Sequence, residues 1–212
     1  YSIVQRFDDR TKPLPLRQIF SVGLSIPELM NAANAAGYVS FVPEMDGVVR
    51  WVPTLMQHGE YMFPPLSLQV AREAVQSPLA VNIYEFGVEK MALGEISIPV
   101  KENGDILINY YGPALTFDHI SATDVLTGKV GQEELSGKIV LVGATAAGIH
   151  DIHTSPFGPL FPGVEIHANI MESILQNDYL MRPEWLSILD LLMIAVSGLF
   201  LGLVSQKYKA YG

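Results

Sequence analysis

The chain has 212 residues, of which 49% are hydrophobic and only 17% charged, with a formal net charge of -9 and no cysteine. So much apolar surface offsets the entropy of the chain and excludes an intrinsically disordered protein. The acidic balance excludes a nucleic-acid binder and a general binder of anionic lipid, and the missing thiols exclude disulfides, thiolate metal sites and cysteine nucleophiles. The length predicts one domain with an appendage, and a first residue other than Met is expected of a processed product or a fragment.

In chain order, the stretch up to Pro27 is punctuated by Pro13 and Pro15 and is expected to be extended or loop. Residues 28–36 predict a short helix ending near Gly37. Strands are expected at 38–43 and 48–56 around Glu44-Met45-Asp46-Gly47, where Asp-Gly is a hairpin signal. Pro64 and Pro65 precede a helical stripe in 66–76. Further strands are expected at 79–84, at 95–100 and, after the turn signal Asn103-Gly104, at 105–111. A short helix is expected around 120–126. Lys138–Val142 (KIVLV) reads as a strand buried on both faces. Val164, Ile166, Ile170, Ile174 and Leu175 give 163–176 an amphipathic helix. The fold class is α/β, a mixed sheet with covering helices.

The C-terminal part differs in kind. Residues 186–204 (LSILDLLMIAVSGLFLGLV) contain one ionisable group, Asp190. At about 1.5 Å per residue the run nearly covers a hydrocarbon core of roughly 30 Å, and Asp190 lies close enough to one end to reach the headgroups. Trp185 and Tyr208 stand where interfacial aromatics are expected. Lys207 and Lys209 follow the run, while Arg182 is opposed by Asp178 and Glu184. The positive-inside rule then places the lysine side in the cytoplasm and residues 1–184 outside. The expected organisation is an extracytoplasmic domain over 1–184, a transmembrane helix over 186–204 and a cytoplasmic juxtamembrane segment over 205–212.

Catalytic patterns are weak. The loop Gly143–Gly148 follows KIVLV as a phosphate-binding loop follows a strand, but three prolines in the next stretch leave no room for the helix such a site needs. His150, Asp151, His153, Glu165 and His167 offer metal-ligand types. However, His150 and His153 lack the i, i+4 spacing of a zinc helix. A membrane-tethered, metal-dependent enzyme using the 143–153 loop is therefore the secondary reading. The acidic residues single out no acid–base pair, and no nucleophile elbow occurs. Phe157, Phe161 and Tyr179 fit core packing beneath a loop better than a ligand pocket. No catalytic residue, cofactor or resident metal is expected.

Six blocks, 37–57, 63–74, 104–113, 120–128, 135–175 and the apolar exit, together resemble the type-2 CHASE domain, an extracellular sensory module of bacterial transmembrane receptors. The resemblance singles out Asp46, Gly47 and Arg50 in DGVVR, and Asn109, Tyr110 and Gly112 in INYYGP. In the long block it singles out Gly143, Asp151, Thr154, Pro156, Gly163, His167 and Asn169. It implies ligand-binding or signalling roles for Arg50, Asn109, Tyr110, Asp151, Thr154, His167 and Asn169. Gly47, Gly112, Gly143 and Gly163 suit tight turns or close backbone approach. Arg50 and Asp151 are expected to pair with each other or to meet a ligand's opposite charge. His167 and Asn169, two apart on one helix, are expected to face different sides.

The resemblance further implies a sensory module set in a bacterial cytoplasmic membrane, with residues 1–184 in the periplasm. An external cue, a small molecule or another signal, would be relayed through the membrane helix to a cytoplasmic adenylate or guanylate cyclase or a kinase. Homodimerisation is expected on the same ground. The family module begins before Gly37 with a further α/β portion, so the chain is expected to lack its opening and its output domain.

Overall fold

Strict alternation of buried and half-buried residues along 79–84 marks a strand with one face in the core, and the rest of the domain is arranged around it. In the computed structural model the described residues are 3–7, 14–145, 151–181 and 185–207. They fall into two units, Tyr1–Leu180 and Met181–Gly212.

The first unit opens with β1 (Ile3–Arg6), β2 (Arg17–Gln18) and α1 (Pro27–Ala32). Next come β3 (Trp51–Pro53), β4 (Met56–His58), β5 (Tyr61–Phe63) and α2 (Leu66–Val75). The middle holds β6 (Leu79–Tyr84), β7 (Gly87–Leu93), β8 (Ile96–Ile98) and β9 (Asp105–Leu107). After α3 (Ala122–Leu126) and α4 (Gln132–Leu135) come β10 (Ile152–Ser155), β11 (Gly158–Pro162) and α5 (Gly163–Gln176). The main sheet has the order β1-β6-β7-β8, with β1 parallel to β6 and the other pairs antiparallel. Smaller sheets join β2-β4-β5, β3-β9 and β10-β11. The fold is thus mixed α/β.

Two helices pack on each other in the core. In α5, Ile166, Ile170 and Ile174 recur every four residues and are fully buried, as are Leu68 and Ala71 of α2. Asn177 ends α5 in the left-handed conformation (φ 54°) with its N–H on Ile174 O, and Asp178 N–H reaches Ser173 O. These bonds satisfy carbonyls that the helix end would otherwise leave unpaired.

The second unit holds α6 (Trp185–Lys207), apolar on all sides, within which Ile188–Ser205 is long and hydrophobic enough to cross a membrane. That matches the expected span.

Four expectations about local structure need correction. The turns at 44–47 and 101–105 are present, with Gly47 and Gly104 at φ +82° and +80°. They do not, however, join neighbouring strands into hairpins. β3 and β9, the strands that follow the two turns, pair with each other, and residues 38–43 contribute only the Tyr38–Pro65 bridge. β7, unexpected because Glu89 and Lys90 interrupt its apolar pattern, is the longest strand of the main sheet. The stretch after His150, expected to be loop, forms the β10-β11 hairpin.

The largest departure is KIVLV, which is not a buried strand. Among the described residues no strand pairs with it. Its one backbone bond among the described residues is Lys138 N–H to Leu135 O, and Ile139, Val140 and Val142 are exposed, Val142 by 90%. Only Leu141 packs against the core. An apolar run reports a tendency to be buried but names no partner, and the neighbouring ladders have found partners elsewhere.

Ile166→Ala should therefore lower stability by about 2–5 kcal/mol, the usual range for a large-to-small change in a core. Val142→Ser should stay within about 0.5 kcal/mol. Urea unfolding of the chain in detergent measures both. A Val142→Ser cost equal to that of Ile166→Ala would mean that the run is buried in solution.

Candidate functional site

One face of α5 is polar although it is buried. Glu165, Asn169 and Ser173 stand one turn apart, each at most 2% exposed. Such groups persist in a core only when they are hydrogen-bonded. Glu165 Oε2 accepts Leu115 N–H at 2.9 Å, and its Oε1 accepts Thr116 N–H at 2.8 Å and Phe117 N–H at 3.3 Å. Asn169 Oδ1 accepts Tyr111 N–H at 2.8 Å while its Nδ2 donates to Glu165 O at 2.7 Å. Ser173 Oγ donates to Asn169 O at 2.8 Å. Past the helix end, Asp178 Oδ2 accepts from Asn109 Nδ2 at 3.1 Å and from the Tyr111 hydroxyl at 3.2 Å.

Residues 109–117 thus form a strap running the length of α5 and tied to it at Glu165, Asn169 and Asp178. Leu115 sits in the strap at φ +70°, a conformation costing about 1–3 kcal/mol for a residue with a Cβ. The charge-assisted bonds to Glu165 hold it there. Thr116 Oγ1 occupies the space where a Cβ on Gly112 would lie, and it donates to Pro113 O at 2.6 Å. Burial, and then the negative charge of Asp178, hold the Tyr111 phenol above its usual pKa.

The opposite side of α5 meets the β10-β11 hairpin. Gly163 N–H donates to Asp151 O at 3.0 Å, and the Asp151 carboxylate lies so close to Gly163 Cα that any side chain there would overlap it. His153 Nε2 is 3.2 Å from Asp151 Oδ1. His167 is 3% exposed, with its ring 4.6 Å from that of Phe41. Asn169 and His167 therefore serve opposite sides of the helix. Gly143 packs over Val164, where a Cβ would overlap that side chain.

Arg50 is committed locally, to Glu44 Oε2 at 2.6 Å and Asp46 Oδ2 at 2.8 Å. The expected Arg50–Asp151 pair does not form; Asp151 partners His153 instead. Arg50 and the Val48 N–H hold the Asp46 carboxyl below its usual pKa. Tyr110 donates its hydroxyl to Val49 O at 2.8 Å and sets its ring edge-on to Phe161 at 5.2 Å. Burial pushes its phenol well above the ordinary pKa. Thr154 O accepts Val49 N–H at 2.9 Å, which links the hairpin to the segment before β3.

Of the residues expected to matter, the structure gathers Asn109 and Asn169 at the contact of strap and α5 and Asp151 and His167 at the hairpin joint. Arg50, Tyr110 and Thr154 brace the region between. Phe161 is fully buried and Phe157 exposed, so the two do not face a common pocket. His150 lies outside the described residues, and among those described no group of three acidic, histidine or cysteine side chains is placed to hold a metal. Sequence reasoning missed the roles of Glu165 and Asp178 in holding the strap, although the spacing Glu165, Asn169 was there to be read.

The model of the CHASE2 domain, a family of non-catalytic extracellular sensory domains found in receptors, matches residues 4–203. No curated protein and no solved structure matches the chain.

Replacing Glu165 by Gln puts an amide donor against a strap N–H. The expected loss of stability is about 1–3 kcal/mol, with amide exchange accelerating at 115–117 before the rest of the domain. Hydrogen exchange read residue by residue checks this. Uniform protection of 115–117 in both proteins would contradict it.

Proposed function

The chain belongs to the CHASE2 family, and from that premise we propose that it is the input module of a bacterial transmembrane receptor. Residues 1–184 lie in the periplasm, α6 crosses the cytoplasmic membrane, and the lysines after it face the cytoplasm. An external cue shifts the domain between two packings. The shift passes along α5 and through α6 to a cyclase or kinase output, with two copies acting together as a homodimer.

The strap carries this reading. It is bonded to α5 from the first turn to Asp178, and in sequence only a short connector separates Asp178 from Trp185. A change in the 109–117 segment is therefore felt by the whole helix and by the residues that lead out of it. The magnitudes are compatible with a switch. Each exposed hydrogen bond at Asp178 is worth about 0.5–1.5 kcal/mol, and allosteric couplings amount to about 1–3 kcal/mol. Making or breaking the Asp178 contacts is enough to redistribute two states, provided that the cue favours one of them.

Two measurements test the proposal. Because the chain has no cysteine, Met45→Cys and Lys209→Cys each introduce a single thiol. A membrane-impermeant maleimide should label Met45→Cys from outside and Lys209→Cys only after the membrane is opened; the reverse pattern would refute the orientation. In the intact receptor, Asp178→Ala should change basal output several-fold at equal expression. Output indistinguishable from wild type would count against relay through α5.

A further inference from the structure

The joint between α5 and the β10-β11 hairpin is assembled from titratable groups. His167, in the second turn of α5, is 3% exposed, and neither ring nitrogen has a hydrogen-bonding partner among the described residues. Its ring and that of His153 both rest on Phe41, His167 tilted at 4.6 Å and His153 edge-on at 5.2 Å. His153 in turn contacts the Asp151 carboxylate, which presses on the first residue of the helix. From the 39–41 segment, Val39 and Phe41 bring no ionisable group. On α5 itself, Glu165 is turned away and saturated by the strap. Among the described residues the charged groups that bear on His167 are therefore Asp151 and His153.

We infer that this joint is an acid-sensitive latch and that a fall in external pH is a cue which the domain reads. Protonation of His167 frees the first turns of α5 from the hairpin. The inference rests on the reading of the chain as an input module and names the stimulus. A neutral imidazole against Phe41 carries only the modest cost of burying an uncharged polar group, which the nearby Val39 backbone offsets in part. An imidazolium there is a buried charge without a hydrogen-bonded counter-ion, which the interior does not sustain. Asp151 is the nearest compensating charge, but it is held by His153 and the helix start.

The pKa of His167 follows this balance. Burial lowers it from 6.5 to about 4, against smaller upward pulls from the Val39 backbone and Asp151, with His153 adding to the fall. The folded joint therefore binds its proton less readily than the opened one. The stability that His167 contributes is complete above pH 6.5 and is lost as the pH falls toward 4. By pH 5 the opening equilibrium is favoured about 30-fold over its value at pH 7.5, from the same two pKa values.

The test uses the whole chain in lipid nanodiscs, with histidine rings isotopically labelled and amide exchange followed from pH 7.5 to 4.5. After correction for intrinsic rates, protection at 152–155 and 163–168 should start to fall below pH 6.5 and be about 30-fold lower by pH 5, while the His167 ring of the folded protein titrates well below 6.5. His167→Phe, which keeps an aromatic ring on Phe41, should abolish the pH dependence. If that variant does not fold, the wild-type ring titration alone decides. Titration near pH 6.5 with unchanged protection, or parallel loss of protection in wild type and His167→Phe, would overturn the latch. In the intact receptor, output should change several-fold between external pH 7.5 and 5 in wild type but not in His167→Phe. A wild-type output indifferent to pH would overturn the cue while leaving the input-module reading to the Asp178→Ala result.

Discussion

The carboxylate of Glu165 is taken out of water in the first turn of α5, and three consecutive amides of a distant loop make that possible. Without them the charge would have to reach solvent, and the helix would have to rotate out of its packing on α2. With them, the loop loses its freedom and Leu115 accepts a left-handed backbone that it would not adopt alone. Asn169 repeats the arrangement more weakly, one turn further on, with a single loop amide. The placement of 109–117, the packing of α5 and the geometry of its exit at Asp178 all follow from one polar face being buried where an apolar one would be simpler. A helix that only needed to be stable would carry leucine at these positions, since well-packed apolar groups commonly replace buried polar ones without loss.

The two long sides of α5 therefore do different work. One is tied by directional bonds that fix which residues lie opposite which. The other rests on shape and on a histidine whose charge state decides whether the contact is tolerated. When the conditional contact is lost, the helix is still held by the bond pattern on its other side. The apolar stripe of Ile166, Ile170 and Ile174 packs on the core between them.

How much of this was legible in the sequence differs from element to element. The isoleucines of α5, the alternation in β6 and the length of α6 announced those elements plainly, because periodicity reports burial directly. Asp46-Gly47 and Asn103-Gly104 announced turns, but a turn signal fixes only the backbone at the bend. It does not say that the strand leaving one bend will pair with the strand leaving the other, as β3 and β9 do. β7 hid behind Glu89 and Lys90, which stand exposed in its middle. KIVLV misled because hydrophobicity was the only information it carried. At the site, the resemblance brought out Asn169 and His167. The role of Glu165 depends on amides some fifty positions away, and main-chain donors leave no trace in residue identities.

The four-residue spacing of Glu165 and Asn169 sets how such a helix can move. Turning α5 by one residue about its axis carries both side chains out of reach of their strap partners together, as does sliding it by a fraction of a turn. Small excursions thus meet a steep wall, and no intermediate register conserves part of the bonding. The helix and its strap travel as one body or separate altogether, so a displacement of α5 against the strap is a step and not a gradient.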